Sequence, residues 1–177
     1  MNSPSSWLVQ HAGLLPREGR ALDVACGRGR HALWLAAHGL TTLAVDRDVD
    51  AIRELNEAAG ERRLPLRAEV HDLESRAGPF GPALFRGSTF DVIVVVHYLH
   101  RPLFPALIEA LAPGGVLVYE TFTRAQAARG KPTNPDFLLE PGELLDLVQP
   151  LEILASREGD FDGRMIASVI ARRGSAS

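Results

Sequence analysis

Asp23, Gly27, Gly29, Asp46, Asp72 and the pair His97–Tyr98 are the residues whose types and spacing could do chemistry. Gly27 and Gly29 let the backbone bend sharply and approach a ligand with no Cβ in the way. A helix opening behind them offers unpaired N–H groups and a positive dipole end, which suits an anionic ligand group. Gly27-Arg-Gly-Arg-His-Ala32 matches the dinucleotide pattern G-x-G-x-x-A, and Asp46 lies at a spacing suited to ribose hydroxyls. Asp23 sits four residues before Gly27, where a dinucleotide-binding strand is usually apolar. It either meets an ammonium group of the ligand or holds the turn by hydrogen bonds, because a buried carboxylate needs partners. His97 and Tyr98 are the candidates for a catalytic base. Cys26 reads as a small packing residue, and His97 with His100 lacks a third metal ligand, so no metal site is expected.

These residues need a scaffold that brings them to one edge. Residues 21–25, 41–46 and 66–72 read as strands, with helices over 30–38 and 48–59 between them. Phe90-Asp-Val-Ile-Val-Val-Val96 is the most apolar β-branched run and reads as a central strand buried on both faces. A helix over 101–111, a tight turn Ala112-Pro-Gly-Gly115 and a strand over 116–120 follow, then a long polar segment over 121–140 and a helix over 141–149. Two strands, 151–158 and 164–172, close the chain as a hairpin around Gly159–Gly163. Residues 73–88 carry glycines and prolines and read as a loop. Alternating strands and helices imply an α/β fold, a doubly wound, mostly parallel sheet with one antiparallel strand from the hairpin. In such sheets ligands bind outside the carboxyl ends of the strands. Those ends carry Cys26–Gly29, Asp46, Asp72, His97–Tyr98 and Glu120-Thr121-Phe122.

The 177 residues, 46% apolar and 23% charged, fit a single domain with a sizeable core. The net charge of −3 and the scatter of Lys and Arg argue against a nucleic-acid partner. One Cys, no signal-peptide pattern and no apolar run near a bilayer span point to a soluble cytoplasmic protein with no membrane partner. Residues 1–16 hold a short helix from Trp7 to Ala12, which either packs over a sheet edge or forms a lid with Trp7 or His11 facing a ligand. The 121–140 segment begins at a strand end and is the other candidate for a substrate-side lid.

Asp23-Val-Ala-Cys-Gly-Arg-Gly resembles the first motif, D/E-x-G-x-G-x-G, of class I S-adenosylmethionine-dependent methyltransferases. Asp46, Asp72, Phe90-Asp-Val-Ile and Leu111-Ala-Pro-Gly-Gly-Val-Leu fall where that family places its later motifs, so the resemblance runs from Trp7 to Arg172. Within the class, the short chain and Cys-Gly-Arg-Gly-Arg-His are similar to small bacterial enzymes of the tellurite-resistance type. The resemblance implies a Rossmann-like seven-stranded sheet and S-adenosylmethionine as cofactor. It implies that the turn from Ala25 through Cys26 and Gly27 to Gly29 approaches the methionyl part, that Asp46 accepts from the ribose hydroxyls, and that Asp72 accepts from the adenine amino group. The Leu73 backbone then lies near the ring edge, the His97 carbonyl near the cofactor amino group, Arg47 beside the ribose acid, and Arg30 against the methionyl carboxylate. Ala25 stands where the family commonly has glycine, and a slightly tighter turn is expected there.

The expected reaction is direct methyl transfer to a small-molecule acceptor. The Asn/Asp-Pro-Pro-Tyr/Phe element of enzymes that methylate exocyclic or amide nitrogens is replaced by His97-Tyr-Leu-His100. Two rivals are a nicotinamide-dependent reductase, disfavoured by Asp23 and the missing Tyr-x-x-x-Lys pair, and a non-catalytic cofactor-binding subunit. The oligomeric state is left open.

Overall fold

A computed structural model describes residues 3–74 and 88–175. The sequence expectation for residues 73–88 therefore falls almost wholly outside the described residues. Seven strands form one sheet in the order β3-β2-β1-β4-β5-β7-β6. They are β1 (Arg20–Val24), β2 (Thr41–Asp46), β3 (Leu66–Val70), β4 (Phe90–Val96), β5 (Leu111–Phe122), β6 (Glu152–Phe161) and β7 (Arg164–Arg172). The first five pair in parallel, and β7 runs antiparallel to both β5 and β6. Strand order reverses between β1 and β4, which are neighbours in register Leu22↔Ile93. That switch point is where an open α/β sheet leaves a crevice.

β4 reads FDVIVVV, and all of it but Asp91 is buried. Its β-branched residues face packed layers on both sides of the sheet, as a central parallel strand requires. The helices are α1 (Ser6–Gln10), α2 (Arg30–Ala37), α3 (Val49–Glu61), α4 (Phe104–Ala110) and α5 (Glu143–Leu147). α3 buries Ala51, Ile52, Leu55 and Ala59, a one-sided stripe, and Asp48 caps it by accepting the Ala51 N–H at 3.0 Å. Asp91 accepts the Arg20 N–H at 2.8 Å at the far end of the sheet, so its role there is structural.

Several boundaries differ from the sequence expectation. β3 stops at Val70; the His71 N–H makes the last rung of its pairing with β2, to the Asp46 carbonyl at 2.8 Å, and Asp72 stands just past the strand. The expected helix over 101–111 splits into a 3-10 turn, Arg101–Leu103, and α4, with Pro102 and Pro105 each at a helical start. β5 begins at Leu111, not after the Pro-Gly-Gly turn, since Leu111 already pairs with Phe90 ahead of an irregular register step. The closing hairpin is tighter than expected. Asp162 and Gly163, both at left-handed φ, make a two-residue turn, and Gly159 and Asp160 stay in β6.

The N-terminal helix is packed into the core. Ser5 caps it by accepting the Trp7 N–H at 3.2 Å, and Trp7 and Leu8 are buried against Val94, Val96 and Val118 of the sheet. His11 is half-buried; its Nδ1 donates to the Trp7 carbonyl at 2.9 Å, and its ring lies 3.9 Å from that of Trp7. Among the described residues no helix is long and apolar enough to cross a membrane.

Candidate active site

The turn after β1 is held from below. Asp23 is 1% exposed and its Oδ2 accepts the Ala32 N–H, at 2.9 Å, from the first turn of α2. It thus satisfies one orphan donor of the helix start. Burial pushes the Asp23 pKa up to about 7, against the pull of that N–H and of Arg30. Asp23 lines neither cavity described below, so of its two expected roles its position matches the turn-holding one.

The turn itself uses left-handed backbone at Ala25 (φ +53°), Gly27 (+53°) and Gly29 (+75°). An alanine there carries a steric cost that glycine does not, roughly 1 kcal/mol. Gly29 needs to be glycine for a second reason, because a Cβ would sit 2.3 Å from Leu55 Cδ1 of α3. At Gly27 a Cβ would meet nothing within 4 Å, so the backbone borders open space. The Gly27 N–H donates to Asp46 Oδ2 at 2.7 Å, and Asp46 Oδ1 accepts the Asp48 N–H at 3.0 Å. Each oxygen keeps a lone pair for a ligand hydroxyl.

Two cavities meet at this turn and share Ala25 and His97. One, of about 380 Å³, follows the sheet edge from Asp46, Arg47, Asp72 and Leu73 to Thr121, Phe122 and Phe137. The other, about 1020 Å³, is bordered by Cys26, Gly27, Arg30, His31 and the N-terminal Ser3 and Pro4. Volumes of this order suit a small-molecule ligand. Among the described residues Arg30 makes no ion pair; its one hydrogen bond is long, 3.5 Å to the Ser3 carbonyl. Arg28, by contrast, pairs with Glu54 at 3.2 Å. Asp72 accepts the Glu74 N–H at 3.1 Å and borders the first cavity.

His97 follows β4 with φ +59°, which no β-strand uses, and its N–H donates to the Glu120 carbonyl at 2.8 Å. Strain of this kind gathers at functional sites. Its ring stacks on Phe122 with centroids 4.6 Å apart. Burial lowers its pKa to about 4, aided by Arg30 and Arg164 and opposed by Glu120, so the imidazole is neutral at pH 7 and only weakly basic. Tyr98 is a poorer base still. Burial and the neighbouring Glu74 and Asp72 carboxylates push its hydroxyl pKa up, so the hydroxyl stays protonated at pH 7. Cys26 is buried, and its thiol pKa is pushed up by burial and then by Asp23 and Asp46, so it is no nucleophile. Among the described residues no group of His, Cys, Asp and Glu could hold a metal ion.

The N-terminal segment is fastened over the site by a buried polar network that the sequence does not announce. The His31 Nε2 accepts the Ser5 N–H at 3.2 Å, which fixes the neutral tautomer, and burial lowers the His31 pKa to about 3. Glu120 accepts from Ser5 Oγ at 2.8 Å, Ser168 Oγ at 2.7 Å and Arg157 Nη2 at 3.2 Å. The Arg157 guanidinium lies between the rings of Trp7 and Phe161, at 4.7 and 4.1 Å. Glu120 had been visible only as a polar strand end, and Phe137 and Glu74 carried no signal because they sit in aperiodic segments.

The 121–140 segment is likewise folded down. Thr121 and Phe122 belong to β5, and Thr123 bridges Leu139. Gln126 Oε1 accepts the Met165 N–H at 2.8 Å, while Arg101 donates to the carbonyls of Asp136 and Leu138 at 3.0 and 2.9 Å and pairs with Glu143.

Comparison with known proteins bears on the fold and the family. In fold the chain is similar to TehB from Haemophilus influenzae, with TM-score 0.78 and 20% identity over 98% of this chain and 63% of TehB. It is also similar to an S-adenosylmethionine dependent methyltransferase from Mesorhizobium loti, with TM-score 0.72 and 19% identity over 96% and 98% of the two chains. A 58-residue stretch is 36% identical to Hemagglutinin 1 of Eikenella corrodens, which covers 33% of this chain and 19% of that protein. Residues 4–154 match the family described as methyltransferase domain. That match takes in the glycine turn, both strand-end acids and His97, and the chain belongs to the methyltransferase-domain family.

Proposed function

We propose that this chain transfers a methyl group from S-adenosylmethionine to a small-molecule acceptor. When bound, the cofactor supplies a methyl group already activated by its sulfonium. The protein's work is then to bind, orient and desolvate the reactants. The observation that carries this reading is the open space beside Gly27, bordered by Arg30 with no ion-pair partner among the described residues. A Cβ there would fill the place of a ligand, and a free guanidinium suits the ligand's carboxylate.

The residues divide the work along the sheet edge. Asp46 accepts from the ribose hydroxyls with the lone pairs its two backbone bonds leave free, and Arg47 flanks it. Asp72 and the Leu73 backbone meet the adenine, while Ala25, Cys26, Gly27 and Gly29 border the methionyl part. The His97 carbonyl, turned by its left-handed backbone, takes the amino group. Asp23 positions Gly29 and Arg30 from beneath. Neither His97 nor Tyr98 is a strong base, which fits an acceptor that needs no proton removed by the protein. Ser3 and Pro4 close one side of the site and the 121–140 segment the other.

Equilibrium titration tests the reading. S-adenosylmethionine should bind the wild-type chain, and Arg30→Ala should weaken binding roughly tenfold, the scale of a lost charge-assisted pair. NADPH binding without S-adenosylmethionine binding would overturn it in favour of a reductase.

A further inference from the structure

Residues 3–5 lie beside the larger cavity and are fastened from outside it. Ser3 and Pro4 border that cavity together with Gly27 and Arg30, whereas Ser5 is 8% exposed and lines neither cavity. Ser5 instead joins three elements. Its N–H donates to His31 Nε2 of α2 at 3.2 Å, its Oγ donates to Glu120 Oε1 of β5 at 2.8 Å, and the same Oγ accepts the Trp7 N–H of α1 at 3.2 Å. The anchor on β5 is itself fixed, because Glu120 Oε2 is held by Ser168 Oγ at 2.7 Å and Arg157 Nη2 at 3.2 Å. A helix cap accounts for the bond to Trp7 but for neither of the other two. Apolar packing would hold α1 against the sheet as firmly; a satisfied polar network adds one fixed position for the backbone it binds.

That position bears on Arg30. His31 is the next residue along α2, so the Ser5 bond lands beside the base of the guanidinium side chain, and the same segment carries the Ser3 carbonyl to 3.5 Å from Arg30 Nη1. Resting on the methyl-transfer reading above, we propose that Ser5 is a positioning residue for cofactor binding: it fixes Ser3 and Pro4 where they confine the Arg30 side chain to the orientation that meets the methionyl carboxylate. An arginine loses rotamer freedom when a ligand orders it, and a guanidinium confined beforehand avoids most of that loss. The contact with Ser3 is too long to compete with a charge-assisted bond to a carboxylate, so it confines Arg30 without occupying it.

A double-mutant cycle read by calorimetric titration of the full chain with S-adenosylhomocysteine tests this. Each titration runs below the onset of melting of its variant, so lost stability alone moves nothing. Ser5→Ala should weaken binding roughly fivefold and Arg30→Ala roughly tenfold. The double variant should lose roughly tenfold and not roughly fiftyfold, because Ser5 has nothing to act through once the guanidinium is gone. Glycine caps a helix nearly as well as serine, so Ser5→Gly should keep α1 and still lose at least as much affinity as Ser5→Ala; it also carries the test if the alanine variant does not fold. Binding within about twofold of wild type by either Ser5 variant, or an additive cycle, overturns the proposal and leaves methyl transfer standing. If wild type does not bind S-adenosylhomocysteine, both fall.

Discussion

Gly29→Ala should cost the fold about 3 kcal/mol, while Gly27→Ala should cost about 1, although the two lie two residues apart in one turn. Both occupy left-handed backbone, where a Cβ costs roughly 1–2 kcal/mol. They differ in what the added methyl meets. At Gly29 it would lie 2.3 and 2.4 Å from the two Cδ atoms of Leu55, which is 2% exposed and has no solvent to swing into. Forcing an extra methyl into such a packed contact adds about 1–3 kcal/mol. At Gly27 nothing stands within 4 Å. In a chain of this length 1 kcal/mol moves the melting temperature by about 2–4 °C, so Gly29→Ala should melt about 9 °C below wild type. Urea unfolding at fixed pH gives the free energies directly. In a Leu55→Ala background the clash disappears, so a double-mutant cycle should show a coupling of about 1–3 kcal/mol. Equal losses for the two glycines, or an additive cycle, would refute the packing argument. Gly27→Ala, cheap for the fold, should instead weaken S-adenosylmethionine binding because its methyl enters the site.

Asp23 is an acid whose folded pKa is raised, so the folded state holds the proton longer than the unfolded one and stability falls as pH rises from about 4 to about 7. Asp23→Asn keeps an oxygen for the Ala32 N–H and removes that slope; relative to wild type it should gain about 4 kcal/mol between pH 4 and pH 8, read from urea midpoints. His31 works in the opposite sense. Its pKa is lowered, so its contribution is complete above about 6.5 and is lost as pH falls toward about 3, and His31→Gln should flatten the acid side of the stability profile. Glu120→Ala should destabilise by about 3–5 kcal/mol in urea unfolding, because it leaves the largely buried Arg157 without its carboxylate. A loss below about 1 kcal/mol would mean that the two aromatic rings and Ser168 hold the cation unaided.

The parts of this molecule that could be read from its residues are those built on a repeating period. β4 is an apolar β-branched run, β2 is a largely apolar one ending in Asp46, and α3 carries a one-sided apolar stripe, so both their type and their place followed. Asp46 and the glycine turn were legible because their spacing within a strand–turn–helix unit is fixed by the backbone. The lengths of turns were less accessible. Asp162-Gly163 held the signal for a two-residue hairpin, but Gly159 nearby pointed to a wider one, and only pairing with β7 keeps Gly159 in the strand. Contacts between distant segments left no trace at all. Ser5 reaches Glu120 across 115 positions, and Arg101, distant in sequence, holds the carbonyls on either side of Phe137.

The bonds that Gln126 and Arg101 make with the 121–140 segment have a consequence for selectivity. A wall already fixed by the fold asks no ordering entropy of an arriving molecule, so each good contact appears in full in the affinity. The same rigidity leaves the wall unable to widen. Discrimination should then act as a size sieve, with affinity nearly constant across molecules that fit and dropping abruptly at the first substituent that does not. Turnover should also be insensitive to solvent viscosity, since no segment there has to open before product can leave.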